Sequence, residues 1–82
     1  MTETIKAIRR LVEENIDNCT LEIHEETDVY LFIFSFHISL ALFTVQYSIS
    51  KDIVQAVDNP RLIYNEMIEK VEHTLFNAIT GA

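Results

Sequence analysis

The sequence predicts an α+β fold in the order helix, three-stranded antiparallel β-meander, short helix, long C-terminal helix (α-β-β-β-α-α). Three observations predict it. Apolar residues recur at helical spacing near both ends of the chain, the segment between them alternates at period two, and the parity of that alternation flips once inside its most apolar stretch. A chain of 82 residues has room for one domain, residues 1–82, and a domain of this size buries only about 60% of the surface that its unfolded chain exposes. With 49% apolar residues, such a chain is expected to keep apolar surface for a partner or a second copy.

From Thr2 to about Asn18 the residues Ile5, Ile8, Val12 and Ile16, with Leu11 beside them, make the stripe of an amphipathic helix that Thr2 can cap. Glu13, Glu14 and Asp17 fall in its last turns, where the helix dipole disfavours anions by roughly a few tenths of a kcal/mol each. Arg9 and Arg10 are placed to bridge Glu13 and Glu14 one turn on. The segment CTLEIHE sets Cys19, Leu21 and Ile23 on one side and Thr20, Glu22 and His24 on the other, the pattern of a half-buried strand. Glu25 to Asp28 follow as a polar turn.

The run VYLFIFSFHISLALFTV, Val29 to Val45, has no charged residue and invites two readings, a membrane span or two buried strands. Ser35, His37 and Ser39 fall at period two, which a strand gathers in one row and a helix scatters over different faces. Seventeen residues is also the short limit for a span, so strands are expected. In the first, Tyr30, Phe32, Phe34 and Phe36 share a face; after Leu42 the apolar residues move to odd positions, Phe43, Val45, Tyr47 and Ile49. A hairpin near His37 and Ile38 produces that flip and pairs Phe34 with Ala41, Phe32 with Phe43 and Tyr30 with Val45, while a Glu26-Thr27 turn sets Ile23 opposite Tyr30. The opposite face then gathers Val29, Leu31, Ile33 and Leu42. Neither turn offers the Gly or Asn-Gly usual in tight hairpins.

SKDIVQAV reads as a short helix capped by Ser50. Asn59 and Pro60 open the last helix, Ile63, Met67, Val71, Leu75 and Ile79 make its stripe with Leu62, Ile68 and Phe76 alongside, and Gly81 ends it.

The formal charge of −7 is uneven. Between Arg10 and Lys51 there is no Lys or Arg, and Glu13, Glu14, Asp17, Glu22, Glu25, Glu26 and Asp28 carry the whole of it. This disfavours direct nucleic-acid binding and predicts instead an acidic face that docks on a basic partner surface, steered by long-range charge. If the helices cover only the Tyr30 and Phe32 face, the strip Val29, Leu31, Ile33 and Leu42 stays exposed, rimmed by Glu22, His24, Thr44 and Gln46, as a surface for self-association into a homodimer. A helix wrapped over the back would bury it.

Catalytic and cofactor chemistry finds little footing. The single glycine, Gly81, rules out a Gly-rich phosphate loop. Cys19, alone and on the apolar side of its strand, reads as a structural thiol and fits a reducing, cytoplasmic setting, as does an N-terminus charged where an export leader is apolar. Glu22, His24 and the turn acids are a weak metal set without a second His at zincin spacing. No cofactor, metal or catalytic residue is therefore expected, and a metal-binding enzyme ranks last.

In size, acidity and helix, three-strand, helix order the chain resembles small phage-encoded anti-CRISPR and anti-restriction inhibitors, some of which imitate the charge of DNA. The resemblance is one of outline, carried by no residue motif, so it implies an inhibitor of a nucleic-acid-binding protein and transfers no functional residue. A dimeric acidic chaperone or adaptor is the alternative expectation.

Overall fold

Thr2 opens the first helix: its Oγ1 accepts a hydrogen bond from the Ile5 amide at 3.2 Å in the computed structural model, which describes residues 2–81. Helix α1, Glu3–Asn15, buries Ile5, Ile8 and Val12, the expected stripe. It stops short of Asn18 because the chain must reverse into the sheet. Ile16 is already extended (φ −123, ψ 119), and Asn18 takes the left-handed conformation (φ 57) that Asn tolerates better than most residues.

The elements then follow the expected order: β1 (Cys19–Glu25), β2 (Val29–Ile38), β3 (Ala41–Ser50), α2 (Lys51–Ala56) and α3 (Pro60–Thr80). The strands form an antiparallel meander, β1-β2-β3. Side chains take the faces that the alternation assigns, but the registers are shifted. Phe34 pairs with Val45, Phe32 with Tyr47 and Tyr30 with Ile49, because the second turn lies at Ser39 and Leu40 rather than near His37. Ile23 pairs with Phe32, because the first turn lies at Thr27 and Asp28. Both shifts move a strand by an even number of residues, so no side chain changes face.

Of the two residues in the second turn only Ser39 has positive φ, at 55. A positive φ at the first loop position suits glycine and costs an L-residue roughly 1 kcal/mol or more. Ser39→Gly is therefore expected to stabilise the fold by about 0.5–1 kcal/mol after the extra chain entropy of Gly is subtracted. A thermal melt is expected to show a midpoint raised by about 2–6 °C; a lowered midpoint would show that the turn does not hold this conformation.

The helices gather on one face of the sheet, α1 against α3 and β1, α3 and α2 against β3. Beneath them Phe32, Phe34 and Phe36 stack in a ladder along β2, with centroids 6.4 and 6.1 Å apart. Ile5, Ile8, Val12, Val45, Ile63, Met67 and Val71 close around it. Among the described residues no charged side chain is buried and no buried side-chain polar atom lacks a partner. Local caps agree with this packing. The Ser50 and Asn59 side chains accept from the Asp52 and Arg61 amides, each at 3.1 Å, Pro60 takes the first position of α3, and Gly81 (φ 74) ends it.

Burial fades along α3. Ile63, Tyr64, Met67 and Val71 are covered, Leu75 only half so, while Ile79, expected in the buried stripe, is 48% exposed and Phe76 63%. The final turns extend beyond the cover of the other elements. None of the helices is long and apolar enough to cross a membrane.

Candidate functional site

All seven acids of the charged segment are exposed. The fold divides them into two groups at opposite ends of β1, with Glu22 between. Glu13, Glu14 and Asp17 lie at the end of α1 and in the loop that enters β1; Glu25, Glu26 and Asp28 lie where β1 turns into β2. The seven residues of β1 separate the groups by about 20 Å at the usual strand rise. The arrangement is an acidic border along the β1 side of the molecule rather than one patch.

Few cations answer it. Arg9 does not bridge to Glu13: its Nη1 donates to the Leu21 carbonyl at 3.1 Å, across twelve residues of sequence, and among the described residues Arg10 makes no ion pair either. Glu22 Oε2 meets His24 Nε2 at 3.2 Å. Lys51 Nζ donates to Glu25 at 3.0 Å and also lies 5.3 Å from the centre of the Tyr30 ring. No ion pair is formed by Glu13, Glu14, Asp17, Glu26 or Asp28 among the described residues.

The hydrogen bond from Lys51, and then its charge, hold the Glu25 carboxyl below the usual carboxylate value. A carboxylate whose folded value is depressed stabilises the fold above its unfolded value and loses that contribution as pH falls through the folded one. A carbon-detected NMR titration is expected to place the Glu25 midpoint below that of an unperturbed Glu, and Lys51→Ala to move it upward. An unmoved midpoint would detach Lys51 from the shift.

The back of the sheet carries no helix. Val29, Leu31 and Ile33 run down its centre half-buried, flanked by His24 and Ser48 beside Leu31 and by Glu22 and Gln46 beside Ile33. Leu42 does not belong to this strip. The register sets it opposite His37 at the hairpin end, with Ser35 and Thr44 intervening, and it is 59% exposed beside a fully exposed Leu40. The expected four-residue strip is therefore three residues plus a separate apolar hairpin tip.

The Cys19 thiol is half-buried, and burial pushes its pKa up against the smaller pull of the Ser35 backbone, which opposes thiolate chemistry. Among the described residues no three His, Cys, Asp or Glu side chains converge as metal ligands; Glu22 and His24 have each other.

One feature escaped the sequence. A groove of about 490 Å³ opens between the end of β3 and the helices, lined by Tyr47, Ile49, Ile53, Leu62, Glu66 and Lys70 among others. Lys70 pairs with Glu66 at 3.2 Å and lies 5.9 Å from the Tyr47 ring centre. Leu62, 58% exposed, was the available signal, since it stands beside the buried stripe of α3 rather than within it. Compared with protein-family models, with curated proteins and with solved structures, the chain matches none.

Proposed function

We propose that this protein is a small non-enzymatic binding module that docks its acidic β1 border on a basic surface of a partner protein. Its most concrete form is an inhibitor that imitates the charge of DNA and occupies a nucleic-acid-binding site. One observation carries the reading: Glu13, Glu14, Asp17, Glu26 and Asp28 stand exposed without counter-ions on one side of a chain whose remaining charges cancel. Exposed, unpaired charge of one sign gives up little by being met by a partner and steers that partner from a distance. In this reading Glu22, Glu25, Glu26 and Asp28 form the contact at one end of β1, and Glu13, Glu14 and Asp17 at the other.

A pull-down from the native host with wild-type protein and a Glu22→Lys, Glu25→Lys, Glu26→Lys, Asp28→Lys variant tests it. The expected result is a partner held by the wild type, lost by the variant, displaced by DNA and released by salt. A partner kept by the variant, or indifferent to salt, would sink the charge-docking reading.

The alternative, a dimeric acidic chaperone or adaptor, is favoured by the bare sheet back. Val29, Leu31 and Ile33 there offer a client an apolar strip bordered by Glu22 and His24. Loss of client binding in Leu31→Asp, with the charge-reversed variant still binding, would favour it.

A further inference from the structure

A three-stranded meander has two open edges, and here they differ. In the first ladder the Glu26 amide donates to the Val29 carbonyl and the His37 amide to the Asn18 carbonyl, so even-numbered residues of β1 bond β2 and odd-numbered ones face outward. Arg9 occupies the outward Leu21 carbonyl from α1, and Glu25 stands at the end of the strand. These are the devices by which proteins close an edge. At the other edge the Lys51 amide donates to the Asp28 carbonyl, which makes the odd-numbered residues of β3 the ones bonded to β2. Leu42, Thr44, Gln46 and Ser48 thus point their amides and carbonyls outward. Among the described residues no side chain bonds any of them. The strand ALFTVQYSIS is ten residues long and has no charge to repel another strand.

We infer that β3 pairs antiparallel with β3 of a second copy, joining two meanders into one six-stranded sheet. Charge selects this occupant. A chain of net charge −7 can meet its own copy only where the acids are absent, and β3 is separated from the acidic β1 by the whole of β2. Pairing through β3 sends the two β1 borders to opposite ends of the joined sheet, whereas pairing through β1 would set Glu22 and Glu25 against their counterparts. The ends of β3 are complementary as well. A two-fold axis near Val45 and Gln46 brings the exposed Leu40 and Leu42 tip of each copy beside the Ser48 to Ser50 end of the other, where the apolar groove with Ile53 and Leu62 opens. The ionic groups in that groove, Glu66 and Lys70, already neutralise each other. This inference stands apart from the docking of the acidic border and leaves that border free.

Sedimentation of the full chain with residue-resolved amide exchange tests it. The expected result is a dimer of twice the 9.5 kDa chain mass, in which the Thr44, Gln46 and Ser48 amides are protected in step with dimer population. Gln46→Pro, which removes an outward amide at an edge position where proline is tolerated, is expected to give a folded monomer, and Gln46→Ala to remain a dimer. A wild type that is monomeric at all concentrations, a dimer whose β3 amides exchange freely, or a dimer that survives Gln46→Pro and dissociates in Leu31→Asp would each overturn it, the last by placing the interface on the sheet back. Should Gln46→Pro fail to fold, the wild-type exchange pattern decides alone.

Discussion

Reversing Glu22, Glu25, Glu26 and Asp28 to Lys is expected to weaken binding of a basic partner by about a hundredfold or more while the fold persists. Each reversal adds two charges, so the four carry the chain from −7 to +1. Steering alone is worth roughly ten- to a thousandfold in association rate, and like charges forced together add a cost of a few kcal/mol. The positions are exposed, where substitutions usually change stability by about 0.5 kcal/mol or less. The fold therefore loses chiefly the Lys51 contact with Glu25. Binding isotherms at low and high salt, with circular dichroism on the same samples, separate the two effects: affinity is expected to collapse and its salt dependence to vanish without loss of the cooperative melt. A variant that binds as wild type would return the acidic border to a solubilising role.

Phe34→Ala is expected to cost about 3–5 kcal/mol of stability, the usual range for removing a buried phenylalanine. Phe34 is 0% exposed, on the central strand, stacked between Phe32 and Phe36, so neither the sheet nor the helices can readily close over the void. For a domain of this length total stability is of the order of 4–12 kcal/mol, and the loss takes a large share of it. Leu31→Ala, one residue away on the bare face, is expected to cost only about 1 kcal/mol, because its side chain is already half in water. Equal destabilisation of the two variants in urea titrations would mean that something covers the back of the sheet.

Element order and the side of the sheet on which each side chain lies were legible in the chain because both follow from local period. Three-residue and four-residue spacing marks a helical stripe, two-residue spacing a strand face, and an even error in register leaves every face unchanged. Turn position was not legible. The hairpin at Ser39 and Leu40 and the turn at Thr27 and Asp28 contain no Gly, so local turn chemistry left their positions open, and strand pairing across β2 decided them. That choice removed Leu42 from the strip of Val29, Leu31 and Ile33. The end of α1 was misplaced for a similar reason: helical spacing continues to Ile16, but the reversal at Asn18 requires the chain to leave the helix first.

The sequence by itself determined an α+β meander, its Phe-lined core face and a charge imbalance confined to one third of the chain, all properties of residues and their near neighbours. Tertiary structure alone decided how the acids are spread, which edge is closed and which is open. Arg9 shows why. Its local partners are Glu13 and Glu14 one turn away, yet its guanidinium reaches the Leu21 carbonyl, twelve residues on. An unpaired edge carbonyl held by a charged donor is a stronger contact than a screened surface ion pair. No period in the sequence records it, because it exists only once α1 lies over β1.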